Sequence, residues 1–392
     1  MNRNLWLLAI CQGLFLTNNV TFIAINGLVG LSLAPLGWMA TLPVMGYVVG
    51  GALSTGLVAR TQRQLGRKRS FQLGLVVALL SALLCAYAAA TSNFWLLCFA
   101  TVIAGYYNAN AGLYRFAAAE LAAPTGREKA VSLVMAGGLL GAVLGPNLAA
   151  RTRDVFAVPF AGAYIALAVV ALLAMVLMSF MEFAPPAPRT AAGGGRPLAK
   201  IMAQPLFIVS AAAGALSYGV MNLLMAATPI AMQQCRLPFS DAALVLEWHV
   251  IGMFAPGFFT GSLIKRFGAL PVMGVGALLN LVCVLVALSG VDLMQFLVAL
   301  FTLGVGWNFL YTGGSTLLTR TYRPEEKNRA QGAMDTIVYT TMTLTSFSSG
   351  ALITTQGWTW LNLGSMVPVA ITGLALAWLA MHQRLLQNRA VP

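Results

Sequence analysis

The chain is 392 residues long, 59% apolar and only 8% charged, with a mean hydropathy of +0.81. A soluble domain carries about a quarter charged residues, so a water-soluble globular protein is excluded and a multi-span membrane protein is expected. The formal charge of +13 then reads as loop charge beside a lipid bilayer rather than as affinity for nucleic acid.

Met1-Asn2-Arg3-Asn4 leads straight into an apolar segment with no small-residue cleavage site after a short core. A first span is expected here rather than a cleaved signal. Twelve segments of roughly 18–25 residues are each long enough to cross about 30 Å of hydrocarbon. They fall at 5–27, 36–58, 70–90, 93–114, 130–149, 157–180, 205–227, 240–263, 270–289, 293–318, 330–353 and 360–381. Most of the 39 Gly and seven of the 17 Pro lie within such stretches, and no alternating ten-residue strands of a membrane barrel are found. The expected class is therefore all-α, because membrane helices tolerate these residues. If both termini are cytoplasmic, all of the 23 Lys and Arg except Arg151, Arg153 and Arg236 lie in inner segments. That bias predicts an inner-membrane protein with both ends in the cytoplasm. Cys11, Cys85, Cys98, Cys235 and Cys283 form no CxxC pair and no zinc spacing.

Between the sixth and seventh segments lies Pro185-Pro186-Ala187-Pro188 through Gly193-Gly194-Gly195-Arg196-Pro197, a basic linker rich in Pro and Gly. It divides the chain into an N-terminal six-helix bundle (1–182), a cytoplasmic linker (183–204) and a C-terminal six-helix bundle (205–392). After the eighth span runs Gly261-Ser262-Leu263-Ile264-Lys265-Arg266-Phe267-Gly268, and after the second Gly56-Leu57-Val58-Ala59-Arg60 resumes at Gly66-Arg67-Lys68. With twelve spans and two halves, these loops resemble the G-x-L-x-x-R-x-G loop of major facilitator superfamily transporters. The first copy has two extra residues and lacks the Asp of the pattern. The resemblance implies two bundles rocking about a central cavity.

The seventh span holds Met221-Asn222-Leu223-Leu224-Met225 and the eighth His249-Val250-Ile251-Gly252-Met253. In each, two soft-ligand residues stand four apart, on one face of a helix and about a turn from each other. Thioether and imidazole suit copper. With 18 Met in the chain, about one M-x-x-x-M is expected by chance but only about 0.1 H-x-x-x-M. His249 is the sole histidine inside the predicted spans, and an intramembrane ionisable residue is a functional candidate. A packed core histidine and gap-filling methionines are the competing readings.

These paired motifs, with Trp248-His249, Phe258-Phe259-Thr260-Gly261 and Gly306-Trp307-Asn308-Phe309, resemble the CcoA-like copper importers over most of the C-terminal half. That resemblance implies copper as the transported ion, imported for assembly of the cbb3-type cytochrome c oxidase and passed to a cytoplasmic copper acceptor. It implies Met221, Met225, His249 and Met253 as ligands, with Cys235 as the candidate thiol. A related branch carries riboflavin, so the alternative is an importer of riboflavin or a proton-coupled exporter of small organic compounds. Under that alternative Tyr107, Asn108, Trp307 and Asn308 would line the substrate cavity. Gly137, Gly141 and Gly145-Pro146-Asn147 resemble a glycine-proline motif of proton-coupled exporters, although a close-packing face is the leading reading of that spacing. Asn18, Asn19 and Asn110 could line a cavity or bond between helices.

Glu247 and Asp335 are candidates for proton coupling or gating, with Arg236 or a polar group on a neighbouring helix as a partner for Glu247, and Arg320 or Arg329 as partners for Asp335. No H-E-x-x-H, phosphate-binding loop or nucleophile elbow occurs, so neither an enzyme nor an organic cofactor is expected.

Overall fold

The computed structural model describes residues 3–123, 127–183 and 195–389. Of the proposed linker, 183–204, residues 184–194 lie outside the described residues. Among the described residues the chain is helical with no strand, as hydrocarbon demands, because every backbone N–H and C=O there must be satisfied within the segment.

The first six expected spans lie in α1 (Arg3–Leu33), α2 (Leu42–Ala90), α3 (Phe94–Ala111), α5 (Arg127–Thr152) and α6 (Ala161–Ser179), with the short α4 (Tyr114–Leu121) following α3. The other six lie in α8 (Pro205–Gln234), α9 (Phe239–Phe254) with α10 (Gly257–Phe267), α11 (Ala269–Ser289), α12 (Leu293–Leu318), α13 (Lys327–Thr355) and α14 (Gly357–Arg389), after the one-turn α7 (Leu198–Met202). Among the described residues, eight helices are long and apolar enough to cross a membrane, or nine if α9 and α10 form one span.

Three details depart from the expected boundaries. The second and third spans form one element, α2, interrupted at Gly66, whose φ of 75° is left-handed. Gly268, at the same point of the second half, has a φ of 88°. Only glycine takes such a turn without strain, which explains the recurring Gly in both loops. The eighth span is bent by 40° between α9 and α10, where Pro256 lacks the N–H that would continue the ladder. Finally, α3 and α13 fall outside the apolar set, because α3 carries Tyr106, Tyr107, Asn108 and Asn110 and α13 a run of Thr and Ser.

Contacts between chain segments mark two ends of the molecule. One end holds Asn4, which donates to the Glu182 carbonyl, and Lys68, which donates to the Ser179 carbonyl. Arg67 pairs there with Glu120, so the first copy of the loop motif holds a carboxylate from elsewhere in the chain in place of its missing Asp. Arg196 docks beside it on the second set of helices, bonding the buried Glu326 carboxylate at 2.7 Å and the Thr321 carbonyl at 2.8 Å. This is the linker end; the opposite end is called the far end.

Helix pairs α1–α5, α2–α3 and α2–α6 pack closely in the first set, as do α11–α12, α9–α12 and α8–α13 in the second. Gly137 and Gly141 set the α1–α5 approach: a Cβ at Gly137 would stand 2.1 Å from the Ala9 carbonyl oxygen, and one at Gly141 2.5 Å from Leu16 Cβ. The glycine face of the fifth span is thus used for packing, as small residues allow backbones to close in.

The two sets meet through α5–α9, α2–α13 and α1–α8. At the far end Thr41 donates to the Ser346 carbonyl at 2.6 Å and accepts from the Gly350 amide at 2.9 Å. Asn147 donates to Glu247 at 2.7 Å. Arg153 stacks there on Phe160 and Phe239, rings contributed by opposite sets.

Candidate functional site

Two of the cavities among the described residues lie between the sets. A cleft of about 680 Å³ at the far end is lined by Arg153, Phe160, Arg236 and Phe239 among others, and holds none of the sequence-predicted site residues. The central cavity, about 280 Å³, holds Asn108, Met221, Met225, Met253, Trp307 and Asp335. It is the candidate site, since it gathers aromatic, polar and charged side chains from both sets.

The wall from the second set is aromatic. Trp307 and Tyr311, one turn apart on α12, stack with ring centroids 5.2 Å apart and planes 9° from parallel. Tyr218 of α8 meets both rings edge-on at 5.2 and 5.3 Å, and Phe254 of α9 meets Trp307 at 6.2 Å. Edge-to-face contact sets the electropositive rim of one ring on the electron-rich face of the next, which fixes the group as a unit. Trp307 is only 6% exposed, yet its indole N–H has no hydrogen-bond partner. Leaving such a donor unpaired costs about 1–3 kcal/mol.

The wall from the first set carries uncharged polar groups among apolar side chains such as Leu16 and Val20. Asn19 of α1 donates to the Tyr47 hydroxyl of α2 at 3.1 Å and to Asn108 of α3 at 3.5 Å, and Gln12 lies on the same wall. Towards the linker end stand Arg115 of α4 and Asp335 of α13, the charged residues of the lining. The Arg115 guanidinium lies over the Phe116 ring at 4.8 Å and within reach of the Tyr311 hydroxyl. Arg115 thus takes the place expected for Arg320 or Arg329 beside Asp335, because α4 turns back towards the cavity where α3 ends.

The structure gathers the soft-ligand residues only in part. Met221, Met225 and Met253 line the cavity, together with Met135 and Met342, but His249 and Cys235 do not. His249 is fully buried against α12, its Nδ1 at 2.6 Å from the Leu300 carbonyl. A carbonyl only accepts, so Nδ1 carries the proton and Nε2 is a bare acceptor, without a partner. Cys235 caps the far end of α8, half-buried. Burial pushes its thiol pKa up, away from the thiolate that binds metal. Among the described residues, no group of three or more His, Cys, Asp or Glu side chains converges as a metal site.

Other expected residues have different work. Asn308 bonds Thr260 and the Met253 carbonyl, holding the bend between α9 and α10. Tyr107 is buried against Phe15, Asn18 is buried off the lining, and Asn110 ties α3 to Ser70 of α2. Of the two expected kinds of partner, Glu247 takes the polar group on a neighbouring helix, Asn147, and not Arg236, because the helical turn that aims His249 at α12 aims Glu247 at α5. Arg115, Tyr218 and Tyr311 were missed by sequence reading. A Trp-x-x-x-Tyr repeat on α12 was the available signal for Tyr311.

The Major Facilitator Superfamily profile matches residues 5–246 and 210–390. The riboflavin transporter RfnT of Brucella anthropi is 39% identical over 364 residues, covering 92% of this chain and 91% of that one. An uncharacterised transporter of the same superfamily, YddS of Bacillus subtilis, is 26% identical over 84% of this chain and 80% of its own. Among solved structures, a D-xylose–proton symporter superposes with a TM-score of 0.74 at 14% identity, covering 95% of this chain and 96% of that one. Nothing in these likenesses points to the copper importers. On this fold and these matches, the chain belongs to the major facilitator superfamily and is a membrane transporter, not an enzyme.

Proposed function

We propose that this protein imports a planar heteroaromatic solute of the flavin class across the bacterial inner membrane, with both termini in the cytoplasm. The observation that carries the reading is the fixed Trp307–Tyr311 stack facing the amide wall of Asn19 and Asn108 across one cavity. A flavin offers what these walls take: π-faces for the aromatic side and carbonyl and imide groups for amides and for the unpaired Trp307 N–H. The cavity of about 280 Å³ suits a small ring system, with a hydroxylated tail left to reach towards the linker end. The 39% identity with a riboflavin transporter supports the same class. Rocking of the two six-helix bundles, 1–182 and 205–392, would expose the cavity to each side in turn.

The test is uptake of labelled riboflavin by bacteria that neither make nor import it. Growth and uptake conferred by the native chain are expected, and a Trp307→Ala variant at equal membrane level should lose most of both. Absence of uptake with the native chain would overturn the reading.

A second reading, copper import for oxidase assembly, keeps one specific support. The Nε2 lone pair of His249 is bare, one turn from Met253 on the cavity wall. Radioactive copper uptake that depends on His249 and is indifferent to Trp307 would favour it.

A further inference from the structure

The aromatic and amide walls account for a planar ring but leave Arg115 and Asp335 without work. Both line the central cavity, both are exposed to it, and they come from opposite helix sets, α4 and α13. Among the described residues no other charged side chain lines the cavity, so the pair sums to zero. Alone, Arg115 would make this a site for anions: its planar fork is the natural partner of phosphate or carboxylate, and Tyr311 beside it offers a further hydroxyl. Asp335 opposes that. Its carboxylate cancels the attraction for an anionic group and accepts hydrogen bonds from hydroxyls, while Arg115 donates to them.

We propose that Arg115 and Asp335 form a specificity pair that binds the neutral, hydroxylated tail of the solute and excludes its phosphate monoester. The inference rests on the flavin reading above and extends it to which form of the solute is carried. Functionally, a carrier that rejects the phosphorylated form cannot leak it back out. Phosphorylation of the cargo in the cytoplasm, by a phosphotransferase reaction, would then trap it and draw uptake forward.

Purified protein in nanodiscs is titrated with riboflavin, read by quenching of flavin fluorescence, and riboflavin 5′-phosphate is titrated as competitor. Binding needs no ion gradient, so a coupling role for Asp335 does not obscure the result. The native chain should prefer riboflavin. Asp335→Asn leaves Arg115 uncompensated and should shrink that preference by roughly tenfold or more. Arg115→Gln should widen it, and Asp335→Glu should restore the native ratio, which a merely structural role would not produce. An unchanged ratio in both Asp335→Asn and Arg115→Gln overturns the specificity pair while leaving the flavin reading intact. A native protein that binds neither flavin overturns the flavin reading, and the pair with it.

Discussion

At the scale of single residues, recognition turns on groups left unsatisfied by the protein itself. The Trp307 N–H is such a group, buried in the wall with no acceptor. Substituting Phe keeps the stacking face against Tyr311 and removes only the donor. Riboflavin affinity in Trp307→Phe should therefore fall by roughly tenfold, whereas Trp307→Ala, which also removes the face, should fall much further; fluorescence titration separates the two. His249 is the contrasting case, with one nitrogen satisfied by Leu300 and one bare. The sequence made His249 conspicuous because histidine is scarce in membrane spans, and rarity is visible without coordinates. What it hid was direction. A ring that faces the neighbouring helix and one that faces a cavity have the same spacing to Met253, so the H-x-x-x-M motif could not place its histidine. Trp307 and Asn108 were readable as cavity residues because polar and amphipathic groups in spans need an interior surface. Asn308, adjacent to Trp307, points about 100° away around the helix and serves the α9–α10 bend instead.

Individual elements rest on close backbone approach rather than on apolar burial, since lipid is as apolar as the core. A methyl group at Gly137 meets the Ala9 carbonyl at 2.1 Å, a backbone atom that cannot rotate away. Gly137→Ala should force α1 and α5 apart and lower stability by about 1–3 kcal/mol, read as an earlier thermal unfolding in detergent, while Gly364→Ala, with nothing within 4 Å of the new methyl, should be neutral. The linker end is held differently, by charge. Arg196 and the backbone amides of Arg196 and Arg323 hold the Glu326 carboxyl well below the usual carboxylate range. A depressed carboxyl contributes stability that is fully present above its unfolded value and is lost as pH falls through the lowered one. The Arg196 contact should thus persist from neutrality down past about pH 4. Glu326→Gln should lower the melting temperature by a few degrees at pH 7, and the gap to the native chain should close in strong acid. Helix positions were legible because apolar length and turn-forming Gly are local signals, whereas the joining of two spans at Gly66 depends on a backbone angle that composition does not carry.

For the whole molecule, the all-helical, many-span class was readable from hydropathy, but the state of the carrier was not, because opening and closing change contacts between halves and leave the sequence pattern untouched. Here the far end is drawn together. Thr41 bonds both the carbonyl of Ser346 and the amide of Gly350, and Asn147 meets Glu247 across the same divide. A cycle of transport must break these contacts for the cavity to reach that side. Joining them covalently should therefore stop the cycle. A Cβ at Gly350 would stand 3.0 Å from the Cβ of Thr41 and 2.9 Å from its backbone nitrogen, so the two backbones must part by roughly half an ångström to reach the 3.5–4.5 Å that a disulfide spans. In the double variant the bond would replace the contact between the Thr41 hydroxyl and the new side chain. With Thr41→Cys and Gly350→Cys together, uptake should be abolished under oxidising conditions and return on adding a reductant, and neither single variant should respond to redox. Riboflavin added to the oxidised protein from the linker side should still quench, since the lock leaves the cavity's charged end untouched. Uptake that continues in fully cross-linked protein would mean that the far end does not open during transport.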